Sequence, residues 1–217
     1  MLGDVIYALM VKKAFVRSRV PMEIRALGIL LVYLGLSYRK ASQIISLFYP
    51  VSHEAIRKWY YKAAKIFDLT VERKYRPEIA IDETKIRIGD KWYYLWVAID
   101  INTWEILGVY LSPGRSILDT RIFLKKILRY CENKPKFYVD GGPWYPGAFN
   151  KLGLEWEHVT FGKRNPIEQW FSILKRRINA FYRKWNKKTS LRNVSTWNLT
   201  FIALFNIDFK SRKGVIS

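Results

Sequence analysis

The sequence predicts an α/β protein in which a mixed sheet flanked by helices follows a small all-α domain. Three observations predict it. Up to about residue 65, apolar residues recur at helical spacing between capping signals. From Pro77 onward, runs of β-branched and aromatic residues alternate with turn residues. After the third such run, helical and strand patterns alternate, as in a layered α/β domain. The expected organisation is a helical domain at 1–65, a linker at 66–77, a sheet-containing domain at 78–210 and a tail at 211–217.

In the first region, Pro21 suits a first helical turn, where its missing N–H costs nothing, and apolar residues follow through Tyr33 until Gly35 ends the helix. Ser37 caps a second, short helix containing Ala41, Ile44 and Ile45, which Tyr49-Pro50 breaks. Ser52 caps a third, with Glu54 in its first turn and Ile56, Trp59 and Tyr60 as its apolar stripe. A helix, a short turn and a capped basic helix form the pattern of a helix-turn-helix. Its third helix would present Ser52, His53, Arg57 and Lys58 to DNA, and an ordinary three-helix packing unit is the open alternative.

In the second region, Glu78-Ile-Ala-Ile-Asp82 opens a strand that runs to Ile88, and Gly89-Asp90 turns it into a second strand, Trp92 to Ile99. Asn102-Thr103 turns again into a third strand, Trp104 to Leu111. Ser116 caps an amphipathic helix carrying Ile117, Ile122, Phe123, Ile127 and Leu128. A short strand, Lys136 to Asp140, leads through a Gly/Pro-rich loop at 141–146 to a short helix ending at Leu152. A strand at 156–161 and a long helix from Asn165-Pro166 to about Trp185 complete the order. Three antiparallel strands followed by helix, strand, helix, strand and helix match the ribonuclease H-like fold.

Two aspartates sit where the apolar runs end. Asp82 follows Ile79-Ala80-Ile81, and Asp140 follows Phe137-Tyr138-Val139. A carboxylate at such a place is costly unless a cation or a donor compensates it. Hard oxygen ligands select Mg²⁺ or Mn²⁺, and a pair of such ions is a known solution for in-line phosphoryl displacement. Glu168, in the first turn after Pro166, completes a candidate metal and catalytic set, with Lys175 two turns along the same flank. Each acid has a plainer reading: a salt-bridge acid for Asp82, an Asx-turn residue for Asp140, a helix-dipole acid for Glu168. Glu83, Asp100, Asp119, Glu155 and Glu157 are nearby competitors, and His158 is set aside as structural.

These residues carry a family resemblance. Ile81-Asp82-Glu83-Thr84-Lys85-Ile86, with Trp92 to Asp100 after it, resembles the first catalytic block of insertion-sequence DDE transposases. Phe137-Tyr138-Val139-Asp140 resembles the second block, and Asn165-Pro166-Ile167-Glu168-Gln169-Trp170 with Lys175-Arg176-Arg177 resembles the third. The acids are spaced 140 − 82 = 58 and 168 − 140 = 28 residues apart, the second interval being short for the group. The closest likeness is to small elements that form cointegrates by replicative transposition. The resemblance implies DNA strand cleavage and 3′-hydroxyl strand transfer at element ends, with two Mg²⁺ or Mn²⁺ ions on Asp82, Asp140 and Glu168. It also implies a multimer on paired ends, with the helix-turn-helix reading the terminal repeats. The alternatives are another ribonuclease H-like nuclease and an inactive, domesticated DNA-binding regulator.

Charge points to the same partner. Thirty-eight Lys and Arg against eighteen Asp and Glu give a net charge of +20, which a polyanion such as double-stranded DNA would neutralise. Between Lys163 and Arg192 there are ten basic residues, among them Arg164, Lys175, Arg176 and Arg177, and Glu168 is the one acid in that window. Six phosphate contacts from this set would give a log–log salt slope of about −5. Trp144 and Tyr145, just past Asp140, are candidates for stacking on an unpaired base. A single cysteine, Cys131, excludes an intrachain disulfide scaffold and suits an intracellular, cytoplasmic protein working on DNA. The most apolar stretch, Ala26 to Leu36, is far shorter than the roughly 20 residues of a membrane span.

Overall fold

The computed structural model describes residues 1–16, 19–159, 162, 165–179, 185 and 187–212. The described residues divide into two units. The first holds those within Met1–Thr70, Arg176–Lys184 and Arg192–Ser217, and the second those within Val71–Lys175 and Trp185–Leu191.

In the first unit, α1 (Leu2–Val11) precedes α2 (Met22–Tyr33), α3 (Tyr38–Ile45), α4 (His53–Ala63) and the short α5 (Phe67–Thr70). The expected caps form: Ser37 accepts from the Lys40 N–H, and Ser52 accepts from the Ala55 N–H. Gly28 lets α2 approach α3 and α4. A β-carbon there would crowd Ile45 at 3.3 Å and meet Trp59 at 3.4 Å and Ile56 at 3.5 Å in ordinary contact, so a side chain larger than alanine would not fit without movement. The expected stripe Ile56, Trp59 and Tyr60 is buried. The longest described helix, α9 (Leu191–Arg212), is absent from the sequence reading. It buries Val194, Trp197 and Phe201, with Trp197 and Phe201 stacked at 5.7 Å, and groups with the N-terminal helices, whereas residues 78–210 were expected to form one domain.

The second unit is built on a five-stranded sheet of order β3-β2-β1-β4-β5. Its strands are β1 (Glu78–Ile88), β2 (Lys91–Asp100), β3 (Ile106–Ser112), β4 (Lys136–Val139) and β5 (Trp156–His158). β1 to β3 form an antiparallel meander, whereas β4 lies parallel to β1 and β5 parallel to β4. With α6 (Ile117–Ile127), α7 (Tyr145–Leu152) and α8 (Asn165–Asn179), this is the mixed, helix-flanked, ribonuclease H-like order. Ile79, Ile81, Leu95, Val97 and Ile99 are fully buried, each worth roughly 1.5–3 kcal/mol by transfer.

Three details depart from expectation. β3 starts at Ile106 and not at Trp104, because the Asp100 carboxylate accepts from the N–H groups of Asn102 and Thr103 and holds the turn open, with Trp104 at φ 61°. In α6 the buried face is Thr120, Phe123, Leu124 and Ile127, at i, i+3, i+4 and i+7, while Ile117 and Ile122 are 40% and 39% exposed. The stripe read from sequence mixed two faces of that helix. Finally, the charge-rich 66–77 stretch is tied to structure: Lys74 bridges to Cys131, and Arg76 is fully buried. The part of the long helix expected beyond Asn179, at 180–184, lies outside the described residues.

Candidate active site

The parallel ladder between β1 and β4 sets the site. Glu78 pairs with Lys136, Ile79 with Phe137, and Ala80 with Tyr138. Two residues further along each chain, on the same face, stand Asp82 and Asp140. That register brings them level on neighbouring strands, which lie about 4.8 Å apart. The Tyr138 hydroxyl donates to the Glu78 carboxylate at 2.8 Å, as same-face neighbours do. Both aspartates are half-buried. Asp82 Oδ1 accepts from the Glu83 N–H at 2.8 Å, and Asp140 Oδ1 accepts from the Gly142 N–H at 3.1 Å. The Asx turn foreseen as the plain reading of Asp140 is therefore present, and it leaves Oδ2 outside that bond.

Glu83 faces the other way along β1. The Tyr145 hydroxyl donates to its Oε2 at 2.7 Å, and Arg115 donates to its Oε1 at 3.2 Å. Burial pushes the Glu83 carboxyl up from its ordinary value, and the negative fields of Asp140 and Asp82 push it the same way, against the Tyr145 and Arg115 bonds. Burial likewise drives the Tyr145 phenol well above its ordinary value, with Glu83, Asp140 and Asp82 adding to the effect. Two separate groups thus sense both aspartates, as expected of a concentrated negative charge at this end of the sheet.

Around that charge the loop after Asp140 is closely packed. A β-carbon at Gly142 would lie 2.5 Å from the Trp144 ring, so only glycine fits there. The Arg115 guanidinium lies 4.2 Å from the Trp144 ring centroid and 4.6 Å from that of Tyr94. The His158 ring packs on Gly141, where a β-carbon would stand 3.3 Å from Nε2. Arg115 is the neighbour that sequence reasoning missed, and His158, set aside there as structural, stands beside the loop. Arg115 carries no sequence signal beyond its place after Pro113-Gly114. His158 reaches the loop because it pairs with Val139 at the ends of β4 and β5.

The remaining candidates are placed as follows. Tyr145 cannot stack on a base: it is fully buried, with its hydroxyl on Glu83 and its ring against Trp96 and Phe149. Trp144 has Arg115 over its ring, so that ring is already stacked, with Nε1 buried and unpartnered. Glu168 is exposed in the first turn of α8, next to the buried Ile167, Trp170 and Phe171. Among the described residues no group of three or more His, Cys, Asp or Glu gathers closely enough to hold a metal ion. Arg176 is exposed. Arg164 lies outside the described residues, as do the side chains of Lys175 and Arg177. In the first unit, His53, Arg57 and Lys58 lie along α4 with 46% of the His53 and 41% of the Arg57 side chain exposed, while Ser52 is engaged as the cap. Arg57 donates to Glu54 at 2.9 Å. No described helix is long and apolar enough to cross a membrane.

Known proteins share parts of this sequence and fold. The catalytic core domain of BIV integrase is 14% identical, with a TM-score of 0.45 over 64% of this chain and 98% of that one. The transposase of insertion sequence element IS257 in transposon Tn4003 of Staphylococcus aureus is 30% identical over 131 residues, 58% of each chain. The uncharacterized protein MJ0017 of Methanocaldococcus jannaschii is 48% identical over 195 residues, 90% of this chain and 91% of its own. The family model described as a DDE domain, DDE_Tnp_IS240, matches residues 77–206. With that model covering more than half of the chain, the protein belongs to the insertion-sequence DDE transposase family.

Proposed function

We propose that the chain cuts DNA at the ends of an insertion element and joins the freed 3′-hydroxyl to target DNA, with Asp82, Asp140 and Glu168 as the metal-binding catalytic carboxylates. The observation that supports this most directly is the β1–β4 register, beyond whose last pair, Ala80 with Tyr138, two half-buried aspartates each stand two residues along the chain. Those two residues fit a hard divalent cation. They are oxygen donors, and together they concentrate negative charge at this end of the sheet. Glu168, carried by α8, is the third ligand in this reading, on the strength of its place in the family's third block.

Bound there, Mg²⁺ or Mn²⁺, as a pair, supplies Lewis-acid activation of the attacking oxygen and stabilisation of the departing one. The chain's own residues prepare the site. Asp82 and Asp140 would hold the cation through their carboxylate oxygens, while Glu83 is engaged by Tyr145 and Arg115. The Gly142 N–H fixes one oxygen of Asp140, which orients the other. Arg164, Lys175, Arg176 and Arg177 would carry the DNA phosphates, while His53, Arg57 and Lys58, on a helix capped by Ser52, would read the terminal repeats. The enzyme would act inside the cell as a homo-oligomer on double-stranded element ends and target.

A joining assay on oligonucleotide element ends tests this. Asp82→Asn, Asp140→Asn and Glu168→Gln are each expected to abolish strand transfer and leave duplex binding largely intact. Retained joining in any one removes that residue from the site. One observation favours a second reading, a DNA-binding regulator on the same fold: Glu168 is exposed, and among the described residues no three His, Cys, Asp or Glu side chains gather closely enough to hold a metal ion. Calorimetric titration with Mn²⁺, alone and with element-end DNA, separates the two, because a regulator would give no heat in either.

A further inference from the structure

One face of the β1–β2 hairpin carries alternating cations and aromatic rings. Directly opposed residues of an antiparallel pair share a face, and the register opposes Glu83 to Trp96, Lys85 to Tyr94, and Arg87 to Trp92. From the fully buried Trp96 outward, this face becomes accessible. Tyr94 is half-buried, Lys85 and Arg87 are exposed, and Trp92 is 54% exposed. Successive positions on the face lie about 7 Å apart, two residues at roughly 3.4 Å each. Lys85 Nζ is 5.8 Å from the Tyr94 ring centroid, and Arg115 covers the same ring at 4.6 Å before reaching Trp144. The strip therefore runs from the hairpin tip to the loop that follows Asp140.

The acids near the strip are already engaged. Glu83 takes Arg115 at 3.2 Å, and Asp90 at the tip pairs with Lys187. Among the described residues neither Lys85 nor Arg87 forms an ion pair; Arg87 Nε donates only to the Gly89 carbonyl at 3.0 Å. An exposed indole between uncompensated cations, on a chain of net charge +20, complements a strand that offers phosphates and free base faces. A duplex keeps its base faces stacked, whereas an unpaired strand does not.

We infer that this face is a track for an unpaired DNA strand: Trp92 stacks on a base, and Lys85 and Arg87 contact its phosphates, next to the Asp82–Asp140 end of the sheet. The inference rests on the reading that the chain acts on DNA, and it adds a single-stranded segment to the substrate. The test is fluorescence anisotropy of the full chain with labelled oligo-dT and with a blunt duplex of equal length, across a salt series. Trp92→Ala is expected to weaken oligo-dT binding by roughly ten-fold or more, and Trp92→Phe to restore part of it. Lys85→Gln with Arg87→Gln is expected to flatten the log–log salt slope on oligo-dT by about 1.4, from roughly 0.7 per lost phosphate contact. Unchanged oligo-dT affinity in Trp92→Ala would overturn the inference. So would an equal loss on the duplex, or light scattering showing that Trp92 instead holds two copies together. Joining activity separates the two readings. A wild-type chain that never joins ends but binds oligo-dT through Trp92 refutes strand transfer alone. One that joins ends while Trp92→Ala binds oligo-dT normally refutes the track alone.

Discussion

Arg76→Ala should destabilise the sheet-containing unit more than any surface substitution. The Arg76 side chain is fully buried and donates to Asp100 and Glu105 at 2.6 Å each, to the Glu72 carbonyl at 2.7 Å and to the Tyr130 carbonyl at 2.9 Å. The Asp100 and Glu105 side chains are 2% and 1% exposed. Removing the guanidinium strands both, although Lys74 at 3.2 Å still answers Glu105. Breaking a buried ion pair by deleting one partner costs about 3–5 kcal/mol, a large share of the roughly 5–15 kcal/mol that holds a domain folded. With a urea dependence of about 1–3 kcal/mol per molar, the unfolding midpoint should fall by at least about 1 M. Arg76→Ala combined with Asp100→Asn should recover part of the loss, because the abandoned charge is gone. A midpoint for Arg76→Ala within about 0.3 M of wild type would refute the reasoning. The consequence reaches the site. Arg76 and its N–H, held by Asn133 at 2.8 Å, tie the start of β1 to the approach to β4, and that pairing sets Asp82 beside Asp140.

Two further outcomes are expected. Burial pushes the Cys131 thiol up to about 11, so the native chain should resist alkylation at pH 8 and react only on unfolding; rapid labelling of folded protein would show the thiol to be accessible. In α4, hydrogen bonding to Arg57 holds Glu54 below the ordinary carboxylate range. That contact therefore contributes above the ordinary carboxylate range and is lost as pH falls through the lowered value. Arg57→Ala should remove this acid-side dependence and weaken binding to terminal-repeat DNA more than to random duplex; equal losses on both would make Arg57 a phosphate contact.

The sheet was legible because its signals are local. Alternating and apolar runs marked β1, β2 and β4, turn residues separated them, and the two aspartates ended such runs. The surroundings of those aspartates were not legible, because topology assembles them from afar. Tyr145 reaches Glu83 across 62 residues and Arg115 across 32. Tyr145 looked like a surface aromatic in a Gly/Pro-rich loop, whereas the turn into α7 drives it into the core. Arg76 was read as part of a linker at 66–77, ahead of Pro77, because nothing local marks it as buried. Only the meeting of Asp100, Glu105 and Arg76 in space makes burying three charges tolerable. The helix α9 escaped because its apolar residues are spread around much of its circumference, which leaves little amphipathic contrast for a periodicity argument.

The three proposed carboxylates are held by different physics, and that difference explains what the structure brings together. Asp82 and Asp140 stand two residues past the last pair of a hydrogen-bonded ladder, Ala80 with Tyr138, so its register sets their level. A slip of one residue would turn Asp82 to the opposite face, and a slip of two would carry it roughly 6.6 Å along the strand. Neither displacement is small, so the pair is either in register or absent. Glu168 has no such ladder. It rides on α8, which Ile167, Trp170 and Phe171 anchor through apolar burial, and apolar burial is non-directional. A helix held that way can take up a new position at far lower cost than a strand can change register. A trio that includes Glu168 therefore needs something beyond the sheet to set α8. Bound cation and DNA phosphate, drawing on the acid of the first turn and the basic residues two turns later, are the charges able to do so. If the three act together as proposed, the aspartate pair would be the permanent half of the site, and the glutamate the half that substrate assembles.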